Sequence, residues 1–383
     1  MNKTNILIYG ATGSVGSSAI SLIRENSDLF NIVGMTCNNN IKELKKLSDE
    51  FSPRKIGIGT YDKNINYNEY FPNKDLYFEL DEFSHLIDLE VDIIIFAISG
   101  LSILNLSIDL AKSGKVLGVA NKESIISLGK IFIETANKNN TKIIPLDSEH
   151  NSIYQLLSSN NSKFKSITLT ASGGPFLNKP IIDLKDIRAE EAIKHPIWKM
   201  GKKISVDSAT MVNKGLELIE ASYLFNLDIS RINVLIHPQS IIHGLITYHD
   251  NSIVCYMSYP DMRVPISNLL FGDNKAQISG IDLDLSKIKE LNFIDVDEKR
   301  FPSIKLSREV AKIGGLAPNG FNYINEKLVN LFLDNKIGFI DIVDYNEATL
   351  ERFFASNSNI DNPSIEDINE FNKWIDNNIF LGT

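Results

Sequence analysis

The sequence predicts an α/β protein in which an N-terminal doubly wound parallel-sheet domain is followed by a central α+β domain and a C-terminal helical bundle. Three features predict it. Short runs that are apolar throughout alternate with helical patterns from Asn5 onward, a glycine-rich turn follows the first of those runs, and the patterning changes near Glu149 and again near Ser303.

The apolar runs are NILIY, NIVGM, VDIIIFAIS, VLGVAN and KIIPLD, with helical patterns after Gly13 and from about Lys42 to Phe51. A run without polar alternation marks a strand covered on both faces, which implies a parallel sheet flanked by helices. Residues 1–149 are therefore expected to form one domain. Beyond it come KSITLTAS and NVLIHP, then two alternating runs, IIHGLITYH and SIVCYMSYP, meeting at Asp250 and Asn251. Those two runs read as an antiparallel hairpin with a turn at the junction. With a helix over Thr210 to Phe225, they make an α+β substrate domain at 150–272. Residues 273–300 are charged and weakly periodic and read as a linker. From 301 to 383 the pattern is helical, with stops at Gly314, Gly315 and Gly338 and a cap formed by Ser364 with Asp367.

Composition narrows the function. The chain has 383 residues, more than one ordinary core takes, with 43% hydrophobic and 23% charged residues and a formal charge of −9. A net negative charge gives no electrostatic reason to bind nucleic acid or anionic lipid, so an anionic substrate must be met by local donors. Cys37 and Cys255 are far apart and not in metal-ligand spacing, which predicts a disulfide-free protein of a reducing compartment. The longest apolar stretch, Ile93 to Ile98, is too short for a membrane span, and no targeting segment is visible; a cytoplasmic protein is expected.

Gly10, Gly13 and Gly16 stand between the strand NILIY and a helix. A dinucleotide's pyrophosphate sits at such a turn, against exposed backbone N–H groups and the positive end of the helix dipole. An NAD site usually places an acid at the end of the second strand to bind the ribose. Here that end carries Asn38, Asn39 and Asn40, whose amides and backbone donors suit a 2′-phosphate, so NADP is favoured over NAD.

Asp147, Ser148 and Glu149 end the run KIIPL. Two carboxylates two positions apart in extended chain share a face and can meet one hard cation such as Mg or Mn; equally, Asp147 or Ser148 can cap a following helix. In SVDSATMVNKGLELIEA, helical spacing puts Asn213, Lys214 and Glu217 on one face, with Ser208 expected where that helix begins, to cap it or to donate to a phosphate. Ser172 lies in a Gly-Gly turn that lets backbone approach a ligand, and His195 and Trp198 lie in a Pro- and Gly-bearing segment able to cover a substrate. His237 and His243 read as core histidines or as groups behind the site.

Taken in order, GATGSVG, ANKES, PLDSEHNSIYQLL, ASGGPF, HPIWKMGKKISVDSATMVNKGLELIEA, IHPQSIIHG and PDMRVPI resemble the 1-deoxy-D-xylulose 5-phosphate reductoisomerase family. The match is strong from Asn5 to about Phe271 and weaker beyond. The resemblance implies a Rossmann-like N-terminal domain and NADPH contacts at Gly10, Thr12, Gly13, Ser14, Val15, Asn38, Asn39, Asn40, Asn121, Glu123 and Gly201. It implies that Asp147, Glu149 and Glu217 bind one divalent cation, Mg or Mn, with Lys122 and Ser148 beside the substrate. Ser172, Ser208, Asn213 and Lys214 would hold the phosphate, with His195 and Trp198 in a mobile loop over residues 195–203. The catalytic set is then Lys122, Asp147, Glu149, His195 and Glu217, and a homodimer is implied. Where several family members carry Lys or Arg beside the 2′-phosphate, this chain has Asn39. Two other readings remain open on the sequence: a metal-free NADP-dependent dehydrogenase of a small phosphorylated aldehyde, and a non-catalytic nucleotide sensor.

Overall fold

A computed structural model describes residues 3–88, 90–159, 162–198 and 200–382. The chain forms two compact units: Met1–Ser124, Ile131–Asn151 and Asp261–Ile281 make the first, and Ile125–Lys130, Ser152–Pro260 and Asp282–Thr383 the second.

The first unit is built on seven strands, β1 (Thr4–Tyr9), β2 (Phe30–Cys37), β3 (Lys55–Ile58), β4 (Asp75–Phe78), β5 (Ile93–Phe96), β6 (Val116–Val119) and β7 (Lys142–Pro145). They lie in the order β4-β3-β2-β1-β5-β6-β7, and every pairing is parallel. Strand order reverses between β1 and β5, so the crevice at their C-terminal ends is where a doubly wound sheet binds its ligand. The predicted parallel sheet is therefore present, with two strands, KIGI and DLYF, that the sequence reading did not single out. In chain order the helices that follow are α1 (Ser14–Glu25), α2 (Ile41–Phe51), α3 (Tyr67–Tyr70), α4 (Leu104–Ala111), α5 (Lys122–Leu128), α6 (Lys130–Lys138) and α7 (Ser148–Ser159).

In the second unit β8 (Phe164–Ala171), β9 (Ile232–Ile236), β10 (Ile242–Tyr248), β11 (Ile253–Met257) and β12 (Ile294–Asp295) form a sheet ordered β11-β10-β8-β9-β12. β10 and β11 are the expected antiparallel hairpin, with Asn251 at φ 67° in its turn. In chain order the helices continue with α8 (Ala189–Ala192), α9 (Lys202–Ala209), α10 (Val212–Leu224), α11 (Arg263–Phe271), which belongs to the first unit, α12 (Pro302–Ile313), α13 (Ala317–Leu333), α14 (Asp341–Ser356) and α15 (Ile365–Asn378). The sheet and α10 share a core that includes Ile167, Leu169, Leu218, Ile232, Ile236 and Ile304. A Cβ on Gly215 would lie 2.9 Å from Ser307 Cβ, so α10 and α12 approach closely only because that position has no side chain. The capping box of α15 is made by Ser364 and Asp367, as expected.

Three expectations need correction. The helix read over Thr210 to Phe225 starts at Val212: Met211 takes φ 60° and breaks the chain into α9 and α10, so Ser208 lies in the last turn of α9 and not at the start of α10. The strain at Met211 is offset by burial of its side chain in the core of the second unit. The stretch from Asp261 to Ile281, expected to close the central domain, packs in the first unit, where Phe271 meets Phe30 edge-on at 5.1 Å between ring centroids. The linker at 273–300 contributes β12, which pairs with β9. Among the described residues, no helix is long and apolar enough to cross a membrane.

Candidate active site

In the first unit, the turn after β1 is shaped by glycine. Gly10 sits at φ 85°, and a Cβ there would lie 2.6 Å from Ala97 O; a Cβ on Gly16 would collide with Gly10 O and the Ala11 backbone. The turn can therefore close only without side chains at these positions, and α1 starts directly behind it. Gly13 is the N-cap and makes no side-chain cap bond. Gly13 and Ser14 are exposed and Thr12 and Val15 half-buried, at the terminus whose first amides have no helical partners.

The three asparagines after β2 have different duties. Asn38 Oδ1 accepts from Thr60 Oγ1 at 2.9 Å, and Asn40 caps α2 by accepting from Glu43 N at 3.3 Å. Asn39 is exposed between them, with its carbonyl accepting from Ile41 N. Beside them the Cys37 thiol is pushed up to about 12 by burial. Cys37 and Cys255 are both free.

Asn121 is buried, and its side chain is fully committed: Nδ2 donates to Ile98 O at 2.9 Å and to Glu123 Oε2 at 2.7 Å, while Oδ1 accepts from Ser124 N at 2.7 Å. Glu123 Oε1 in turn accepts from Gly100 N at 3.2 Å. These bonds tie the ends of β5 and β6 together and aim Lys122. Lys122 Nζ donates to Asp147 Oδ2 at the end of β7, joining residues 25 apart in sequence. Asp147 Oδ1 also accepts from Glu149 N at 3.2 Å, so the acid both pairs with an ammonium and caps α7, as the cap reading expected. Ser148 Oγ donates to Glu149 Oε2 at 2.5 Å.

Sequence reasoning passed over two supports of this strand end. His150 is wholly buried, with Nδ1 3.7 Å from Asp147 Oδ1. Asn151 donates to Pro145 O at 2.8 Å and accepts from Asn268 Nδ2 of α11 at 2.7 Å, which anchors the turn carrying the acids. The pair 117 residues apart left no local signal.

In the second unit, Glu217 and Lys214 form an ion pair at the centre of α10, where their side chains are 1% and 4% exposed. Asn213 Nδ2 donates to the other carboxylate oxygen, Glu217 Oε1, at 2.6 Å, so the predicted shared helix face is real. Ser172 follows β8. Its Oγ lies 3.0 Å from His195 Nε2 and accepts from Gly174 N at 3.2 Å. His195 Nδ1 accepts from Ile197 N at 3.2 Å and Trp198 N at 2.8 Å, which leaves the ring proton on Nε2 and makes His195 the donor to Ser172. With two donors facing its oxygen, the Ser172 hydroxyl keeps its own proton for an acceptor.

The segment expected as a mobile loop at 195–203 is irregular up to exposed Gly201, the N-cap of α9; Lys199 lies outside the described residues. Trp198 meets the ring of His243 at 6.4 Å between centroids. His243 is buried and its Nε2 faces Ser258 O at 3.2 Å, whereas His237 stacks on Phe293 at 5.0 Å. Both are core histidines, His243 with its ring against that of Trp198.

A glycine turn at the reversal point of a parallel sheet defines a dinucleotide-binding α/β protein. Family models described as 1-deoxy-D-xylulose 5-phosphate reductoisomerase, its C-terminal domain, and DXP reductoisomerase C-terminal domain match residues 6–129, 143–225 and 257–378. The 1-deoxy-D-xylulose 5-phosphate reductoisomerase of Agathobacter rectalis is 38% identical over 372 residues, 96% of each chain, and that of a Sulfurihydrogenibium species is 41% identical over 347 residues, 90% of each. The reductoisomerase of Zymomonas mobilis in complex with NADPH superposes with a TM-score of 0.89 at 34% identity, covering 97% of both chains. A DOX-P reductoisomerase in complex with NADPH, fosmidomycin and magnesium gives 0.88 at 34% identity, covering 97% of this chain and 96% of the other. The chain belongs to the 1-deoxy-D-xylulose 5-phosphate reductoisomerase family.

Proposed function

We propose that Lys122, Asp147, Glu149, His195 and Glu217 carry the chemistry of this chain's reaction, the NADPH- and divalent-cation-dependent rearrangement and reduction of 1-deoxy-D-xylulose 5-phosphate to 2-C-methyl-D-erythritol 4-phosphate for isoprenoid precursors. The observation that carries this reading is the Lys122–Asp147 pair, built by the ends of β6 and β7 in the sheet that also presents the glycine turn. An acid and an ammonium held at the C-terminal ends of adjacent parallel strands are placed for a ligand in the crevice.

Asp147, Glu149 and Glu217 are the residues that would hold the cation. They fit it: all three offer oxygen, the donor that magnesium and manganese prefer, and each carboxylate has about four lone-pair directions, so pairing with Lys122 or Lys214 leaves room for a metal bond. When bound, the cation neutralises charge on the substrate's oxygens and NADPH supplies the hydride.

The chain's own groups bind and orient. Ser172 donates a hydrogen bond from its hydroxyl to a phosphate oxygen, with Ser208, Asn213 and Lys214 as further donors. A phosphate gripped away from the reacting carbons fixes the substrate while the C3–C4 bond breaks and a new C2–C4 bond forms, so binding energy is spent on orientation. Lys122 Nζ holds a proton beside the substrate oxygens, and the Ser148 hydroxyl, bonded to Glu149, stands beside the substrate with it. His195 orients Ser172, and Trp198 excludes water once the segment closes. For NADPH, the amides of Thr12 to Val15 face the pyrophosphate, Asn39 with Asn38 and Asn40 the 2′-phosphate, and Asn121, Glu123 and Gly201 line the remainder.

The same reading makes the protein a cytoplasmic homodimer that acts on a small phosphorylated keto-sugar and binds neither nucleic acid nor membrane. Support for the dimer comes from β11, an outer strand of its sheet among the described residues, where Ile253 and Val254 are 60% and 43% exposed.

In the test, purified protein receives NADPH and 1-deoxy-D-xylulose 5-phosphate with magnesium or manganese, and the nicotinamide absorbance is followed. Absorbance should fall only with both substrate and metal present. Oxidation that survives a chelator would point to a metal-free dehydrogenase, and no oxidation at all to a nucleotide-binding protein without catalysis.

A further inference from the structure

Asp207 immediately precedes Ser208 on α9, and its carboxylate is buried at 1% exposure. It is held from two directions. Asn325 Nδ2 on α13, 118 residues away, donates to Asp207 Oδ1 at 2.7 Å, and Lys203 Nζ, one turn earlier on α9, lies 3.0 Å from Asp207 Oδ2. Asn325 is the last of three asparagines, Asn319, Asn322 and Asn325, spaced three apart on α13 and all wholly buried. Asn319 Nδ2 donates to Asn372 Oδ1 at 2.8 Å, while the amide of Asn322 and Oδ1 of Asn325 have no protein partner among the described residues.

A buried carboxylate gripped by an amide contributes little net stability, and an apolar pair of the same volume commonly does as well. What such a pair does supply is a fixed position. Successive helix residues point about 100° apart, so locking Asp207 toward α13 sets the direction of Ser208. The other side of that turn is constrained as well. A Cβ on Gly174 would lie 2.8 Å from Ser208 O and 3.1 Å from Ala209 Cα, so the turn that carries Ser172 rests on the Ser208 backbone. Ser303 Oγ donates to Thr210 O at 2.6 Å and pins the end of α9. The two hydroxyls therefore share one frame, whose free rotation is removed by the Asp207–Asn325 bond.

We propose that Asp207 and Asn325 are positioning residues that set the Ser208 hydroxyl, relative to Ser172, for the substrate's phosphate. The proposal rests on the reading of Ser208 as a phosphate donor. It separates two roles on adjacent residues: Ser208 touches the ligand, and Asp207 aims it from the neighbouring, core-facing side of the helix.

The experiment uses the full chain with Asn325→Leu, Lys203→Met and Ser208→Ala, measuring KM for the phosphorylated substrate, KM for NADPH, kcat and the inhibition constant of inorganic phosphate. Misplacing a binding group by about 1 Å costs up to about a hundredfold, so Asn325→Leu should raise the substrate KM and the phosphate constant together by about tenfold or more, with the NADPH KM within about twofold. Lys203→Met removes only one of the two grips, from a partly exposed side chain, and should raise the same two constants by about threefold. It also serves as the decisive variant if Asn325→Leu does not fold. Reversal of the pair in Asp207→Asn/Asn325→Asp restores an amide–carboxylate bond and should recover at least half of the lost phosphate affinity. The proposal is overturned if kcat falls with phosphate affinity intact, if both KM values rise in parallel, or if the reversed pair recovers nothing. Should Ser208→Ala leave phosphate affinity unchanged, the donor reading of Ser208 fails as well; a loss in Ser208→Ala alone sinks only the positioning pair.

Discussion

Two carboxylate–ammonium pairs serve the proposed site, and they are built in opposite ways. Lys122 and Asp147 come from neighbouring strand ends 25 residues apart, with side chains 14% and 18% exposed. Lys214 and Glu217 are three apart on one helix and almost fully buried, at 4% and 1%. The first pair depends on the parallel sheet for its geometry and retains contact with water. The second needs only a helical turn, but the surrounding core makes it intolerant of an unpaired charge. Similar chemistry thus carries different structural cost in the two units.

Substitution at Glu217 should have the larger effect. Glu217→Gln leaves the Lys214 ammonium buried without its counter-charge, so stability should drop by about 3 kcal/mol and kcat by about a thousandfold. Denaturant melts and steady-state rates read both. Asp147→Asn should lose turnover to a comparable extent while stability changes by less than about 1 kcal/mol, because a partly solvated pair contributes little to folding. Smallest of all should be the stability difference in Lys122→Arg, under about 1 kcal/mol, for the same reason; Lys214→Arg, forced into a packed core, should melt measurably lower. Equal melting shifts in Asp147→Asn and Glu217→Gln would remove the distinction between the pairs.

The same contrast separates what the sequence reveals from what it hides. The parallel sheet was legible because its central strands are apolar throughout, and the glycine turn because Gly10 and Gly16 cannot carry side chains there. β3 and β4 are the two strands of this sheet that the apolar-run reading did not single out. The break at Met211 could not be read, since a methionine at φ 60° violates local preference and persists only because the core holds its side chain. α11 is apolar in a way that suits either unit; contacts such as Phe271 against Phe30 and Asn268 with Asn151 reveal that it packs in the first.

The candidate site follows the same rule. Asn213, Lys214 and Glu217 were legible because helical spacing places them on one face, and Ser172 because a Gly-Gly turn announces close backbone approach. His150, Asn151 and Asp207 were not. Each acts through a buried contact, and two of those contacts reach partners more than a hundred residues away, Asn151 to Asn268 and Asp207 to Asn325. Residues that aim other residues leave no pattern of their own.

The central claim is that Asp147, Glu149 and Glu217 share one divalent ion. It is tested most directly by titrating manganese into the protein and counting free ion by electron paramagnetic resonance, for the natural sequence and for Asp147→Asn, Glu149→Gln and Glu217→Gln. The account predicts a single site in the natural sequence, weakened by about tenfold or more in each variant, since every one removes a ligand charge. Unaltered manganese affinity in Glu217→Gln, with the fold intact by circular dichroism, would contradict it.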